Sequence, residues 1–113
     1  MQRVQQGATA TITFVKYTDA NIAETGYFSG KTLDAIVVQE NDDTKYVHKA
    51  SANITISNDG SAMSFTLAPT DTVIISGYAN VEVRDTTASQ PVTIFQAIRA
   101  IDFLDNKIHT ITA

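Results

Sequence analysis

The residues of this chain that could carry chemistry are few, and each lacks the companion its chemistry requires. Gly30-Lys31-Thr32 has the ending of a phosphate-binding loop, in which backbone N–H groups and a lysine surround a polyphosphate. That loop needs a glycine five residues ahead of Gly30, where this chain has Thr25; Gly26 is one residue out of register. It also wants a preceding strand and a following helix to supply the N–H cradle, so a turn is expected instead. His48 and His109 are the only imidazoles, and neither lies in a metal-ligand spacing such as HExxH. Both are expected as strand residues facing solvent.

The carboxylates read the same way. Glu40, Asp42 and Asp43 offer the oxygen ligands that Ca²⁺ takes, but not the order of an EF-hand loop, so an acidic solvated loop over residues 39–45 is expected. Asp102 and Asp105 could be posed as a pair, yet acid–base work needs surroundings that push their pKa values apart, and the sequence shows none. No GxSxG nucleophile elbow is present. Asn53-Ile54-Thr55 matches a glycosylation acceptor but falls inside an expected strand. The expectation is a protein with no catalytic residue, no metal and no cofactor.

The elements that hold these residues are legible from the kind of apolar side chain used. Thr, Ile and Val number 37 together, against 5 for Leu plus Met. β-branched side chains are stiff at χ1 and suit a pleated surface better than a helix. Period-two alternation agrees. Ala10, Ile12 and Phe14 share one face against Thr9, Thr11 and Thr13; Ala52, Ile54 and Ile56 alternate with Ser51, Asn53 and Thr55. Asn58-Asp59-Gly60 then supplies hairpin chemistry before Met63, Phe65 and Leu67. Ala79, Val81 and Val83 form a further stripe, and Ala35-Ile36-Val37-Val38, a short continuous apolar run, reads as a buried strand. Ile12, Phe14, Val37, Ile54, Ile56, Phe65, Leu67, Val81 and Val83 are the expected core.

Two stretches read differently. Pro69-Thr70-Asp71-Thr72 fits a short helical turn near residues 69–73. After Pro91, Ile94, Ala97, Ile98, Ile101 and Leu104 fit a helical stripe, while Val92-Thr93-Ile94-Phe95 is rich in strand formers; a long strand covered on both sides is favoured. The whole predicts one all-β domain over residues 1–113, a two-sheet sandwich of five to seven short strands.

Length, charge and cysteine content narrow the partners. One core fits 113 residues, and the absence of cysteine rules out a disulfide framework and a thiolate metal site. Eight basic residues against twelve acidic ones, net charge −4, lack the electrostatic footprint of a nucleic-acid or anionic-membrane binder. No apolar run approaches the roughly 20 residues of a membrane span, and Met1 to Gln6 leads into no signal-peptide core. A soluble protein made in a cytoplasm is expected.

From Gln6 to about Asp105 the chain resembles the N-terminal domain of phage baseplate upper proteins. The residues carrying the likeness are Gly7-Ala8-Thr9-Ala10-Thr11-Ile12-Thr13-Phe14, similar to that family's opening strand, and Phe28 to Val37, similar to its entry into a second strand. Ile56-Ser57-Asn58-Asp59-Gly60-Ser61-Ala62-Met63-Ser64-Phe65-Thr66-Leu67 is the best match, continued by Thr70-Asp71-Thr72 and Gly77 to Asp85. The region 18–34 departs from the family pattern, as does the stretch after Pro91. The resemblance implies an immunoglobulin-like sandwich and a virion structural role: head decoration, fibre anchoring, neck, or tail and baseplate. Its partners would be other phage virion proteins and copies of itself. The other class of function is a carbohydrate- or receptor-binding adhesion module, whose platforms would have to be Tyr17, Tyr27, Tyr46 or Tyr78, because the chain has no Trp.

Ile94, Phe95, Ile98, Ile101, Phe103, Leu104, Ile108 and Ile111 crowd apolar groups into the last fifth of the chain. Contiguous apolar exposure on a soluble protein marks an interaction site, so these eight are the expected interface.

Overall fold

A computed structural model describes residues 1–104, and within them the chain forms two packed sheets. The larger holds β1 (Gln2–Gln5), β8 (Val92–Leu104), β7 (Gly77–Asp85), β3 (Leu33–Gln39) and β4 (Asp42–Lys49), side by side in that order. The smaller holds β2 (Ala10–Val15), β6 (Ala62–Leu67) and β5 (Ile54–Ile56). This is the strand order of an immunoglobulin-like sandwich: β2-β6-β5 form one sheet, β8-β7-β3 the other, β4 extends the second, and β1 lies parallel to the last strand. A short helix α1 (Pro69–Thr72) joins β6 to β7.

Alternation places the core. Leu33, Ala35 and Val37 of β3, Ala79, Val81 and Val83 of β7, and Met63, Phe65 and Leu67 of β6 all point between the sheets and are buried. Of the expected core, Ile12, Val37, Phe65, Leu67, Val81 and Val83 are fully buried, while Phe14, Ile54 and Ile56 pack against its margin. With neither cysteine nor tryptophan available, phenylalanine supplies bulk at the centre: Phe28, Phe65 and Phe103 are among the largest side chains fully enclosed.

The Asp59-Gly60 hairpin forms as expected. The Asp59 carboxylate accepts bonds from Ser57 Oγ at 2.8 Å and from Ser61 N and Oγ at 3.0 and 2.7 Å, and Gly60 takes φ +73°. The connection 24–30 docks on this turn, with Gly26 N and Phe28 N donating to the carbonyls of Asp59 and Gly60. Gly30, also at positive φ, sits in a turn, and Lys31 donates to the Tyr27 carbonyl and lies over its ring.

Three local expectations are corrected. Residues 39–45 are not a loop: Glu40 and Asn41 alone turn between β3 and β4, and Asp42 already pairs with Gln39. Residues Ser51–Asn53 form a 3-10 turn, so Ala52 does not share a strand with Ile54. A strand was not expected at Gln2–Gln5, where Val4 alone is buried; it forms because β8 offers a partner. Residues 92–104, readable as helix or strand, form the strand β8.

Candidate assembly surface

β8 is the longest strand, and its pairing changes along its length. β7 lies along one side from Val92 to Phe103, but on the other side β1 pairs only with Ile101 to Leu104. Residues 92–100 therefore keep one edge with no strand beside it among the described residues. Among the same residues β2 likewise pairs with β6 alone. These two open edges flank a cleft of about 210 Å³, walled by Phe14 and Val15 of β2 and by Ile94, Phe95 and Ala97 of β8, with Phe28 among its lining. The rings of Phe14 and Phe95 meet edge to face at 5.2 Å, and Phe28 stands 6.4 Å from Phe95. The aromatic cluster that closes the core at this side is thus partly visible from outside.

Two irregularities shape β8. Between Val83 and Arg84 the register with β7 slips, which turns both Ile94 and Phe95 towards the cleft. Between Ala79 and Val81 it slips again, and Arg99 enters the left-handed region at φ +51°. Three neighbours hold that bulge: Asn80 Oδ1 accepts from Arg99 N at 2.8 Å, Glu40 accepts from the guanidinium at 2.7 and 2.9 Å, and Tyr78 places its ring 4.9 Å below the charge. The hydrogen bond from Arg99 holds the Glu40 carboxyl below its ordinary pKa.

The eight residues expected at an interface divide. Ile101 and Phe103 are buried inside the sandwich and present nothing to a partner, because the alternation of β8 turns them onto the core. Ile94 and Phe95 are half-buried and line the cleft. Ile98, 67% exposed, stands on the outer sheet face, and Leu104 is exposed at the strand's end. Ile108 and Ile111 lie outside the described residues. Val92, 59% exposed and next to Pro91, belongs with the surface set.

The other candidates are scattered or occupied. Asp102 lies opposite Tyr78 in the sheet, and its companion Asp105 is outside the described residues, as is His109. Glu40 is taken by Arg99, and Asp42 accepts from Thr44. His48 does not simply face water: its Nε2 lies 2.7 Å from Oδ2 of Asp34, a carboxylate that sequence reasoning missed. Asp34 is 5% exposed and bound on its other side by Arg84. Burial alone would raise its pKa, but the hydrogen bonds from Arg84 and His48 outweigh that and lower it. The only sequence signal was an acidic residue inside an apolar run, with a basic residue at the matching position of β7.

The tyrosines form no shared platform. Tyr17, Tyr46 and Tyr78 stand on separate elements, and Tyr27 packs against Phe28. Tyr78 does border a hollow with Glu40 and Asn41, but Arg99 occupies both its ring face and the Glu40 carboxylate.

Fold and surface together define an all-β sandwich with an incompletely paired side. No family model matches the chain, and neither a curated protein nor a solved structure is found to be similar to it.

Proposed function

We propose that this chain is a non-enzymatic structural protein of a phage virion, working by assembly with other virion proteins and with copies of itself. The observation that carries the assembly reading is the open stretch 92–100 of β8 beside an apolar cleft. Unpaired strand edges are templates for protein association, and the apolar walls supply area worth about 25 cal/mol per Å² once covered. The virion address rests on the likeness of Gly7–Phe14, Ile56–Leu67 and Gly77–Asp85 to baseplate upper proteins, together with the immunoglobulin-like strand order.

Mass spectrometry of gradient-purified particles, from a lysate in which the chain is produced, tests this reading. The chain should copurify with the particles in a fixed copy number. Its confinement to the free protein fraction would overturn the virion assignment.

A further inference from the structure

We infer that the partner for the open edge of β8 is a second copy of this chain, joined strand to strand about a two-fold axis near Gln96; this rests on the assembly reading above. The free edges of the sandwich are not alike. β4, the outer strand on the far side, reads Asp42-Asp43-Thr44-Lys45-Tyr46-Val47-His48-Lys49, and β1 carries Arg3 in its four residues. Charge on an edge opposes pairing with another strand, because the incoming strand would have to match or bury it. β5 is three residues long. The stretch Val92-Thr93-Ile94-Phe95-Gln96-Ala97-Ile98 carries no charge at all, and neither does β2 across the cleft from it; the one charge lining the cleft, Lys16 just beyond β2, is held by the Tyr17 carbonyl and lies over the Tyr27 ring. The one charge that follows, Arg99, is already engaged by Glu40 and Tyr78 of its own copy.

An uncharged strand is suited to pair with itself. Antiparallel pairing about a two-fold brings every residue near the axis close to its own symmetry mate, so any charge there would face a like charge. None is present between Val92 and Ile98. The same operation sets the two apolar clefts side by side and covers Val92 and the rim of Ile94 and Phe95. A nine-residue edge about 30 Å long, on a sandwich about 20 Å deep, covers roughly 600 Å² on each copy. The total of roughly 1,200 Å² lies at the lower bound of specific interfaces, which fits a reversible dimer.

Gln96 gives the test, because it is exposed, lies on the outer face opposite Glu82 and contributes nothing to the core. Light scattering on size-exclusion fractions should show the wild-type chain approaching twice its 12.2 kDa as its concentration rises. Gln96→Lys should elute as a monomer with an unchanged thermal midpoint, since Gln96 is exposed and packs into no core, while Glu82 already accepts from Thr93 Oγ1. Gln96→Glu alone should also be monomeric, and an equal mixture of the two should recover the dimer. A wild-type chain that stays at 12.2 kDa up to millimolar concentration would overturn the inference. So would a dimer unaffected by Gln96→Lys, or a mixture that does not associate. A monomeric chain that still copurifies with particles defeats self-pairing while leaving the virion role standing, whereas a dimer absent from particles does the reverse.

Discussion

Asp34 on β3 and Arg84 on β7 stand directly opposite one another in the sheet, and the guanidinium grips the carboxylate twice, Nε to Oδ1 at 2.9 Å and Nη2 to Oδ2. His48, from β4, takes the remaining approach to Oδ2. Three strands are thereby fastened across the outer face of the larger sheet. Removing Arg84 would leave a nearly buried carboxylate with a single partner, so Arg84→Met should cost about 3 kcal/mol in urea unfolding. Arg84→Lys, which keeps the charge but loses the two-pronged fork, should fall between. Equal stability of all three proteins would mean the carboxylate is hydrated rather than held.

The same cluster predicts an acid limb. Asp34 and Asp71 are both pushed up by burial and pulled down further by their partners, Arg84 and His48 for the first, Lys49 and the Ala68 N–H for the second, so both end below their usual 3.8. A carboxylate with a depressed folded pKa adds stability that is fully present above its unfolded value and is lost as pH falls through its folded one. The urea midpoint should therefore hold steady on this account above about pH 5 and decline below about pH 4. Asp71→Asn should make that decline shallower. A midpoint unchanged between pH 5 and pH 2 would contradict the pairing.

Gly60 is required twice over. Its φ of +73° suits glycine, and a Cβ there would lie 2.1 Å from Ser29 Oγ and 2.9 Å from the Gly26 Cα. Ser29 can rotate away; the backbone of Gly26 cannot. Gly60→Ala should cost about 1–3 kcal/mol, the range for an unfavourable backbone conformation, and should loosen the 24–30 connection. Faster amide exchange at Gly26 and Phe28, which donate to this turn, is the local readout.

Phe65 lies between β2 and β5 in the smaller sheet, 2% exposed and opposite Ile12 and Ile54. Phe65→Ala should destabilise by about 3–5 kcal/mol. A loss under about 1 kcal/mol would place the ring outside the core and reverse the faces of β6.

β8 is predicted to be indispensable to the fold. A chain ending at Gln90 loses Phe95, Ile101 and Phe103 from the core and leaves β7 with an open edge; it should show no cooperative unfolding transition. A chain ending at Asn106 keeps all of β8 and should fold, which circular dichroism and thermal melting would check.

Sequence by itself determined the class of structure and much of the core. Alternation is a local property: once Ile12, Phe65 and Val81 point inwards, every second neighbour must follow, and β-branched residues leave little choice but a strand. The Asp59-Gly60 turn was equally local, since a short polar side chain and a glycine meet its needs within four residues. The tertiary structure decided what depends on partners distant in the chain. Residues 92–104 satisfy a helical and a strand pattern alike, and β7, by offering a row of backbone groups, selects the strand and imposes its two bulges. The bulge at Ile94 sends Ile94 and Phe95 to the cleft, while the alternation beyond the second puts Ile101 and Phe103 in the core, a division that apolar crowding alone could not make. Asp34 became a buried carboxylate only because register set Arg84 across from it and His48 on the next strand. Among the described residues the edge at 92–100 is open because β1 pairs only from Ile101 to Leu104, and which edge goes unpartnered is settled only when the strands are placed.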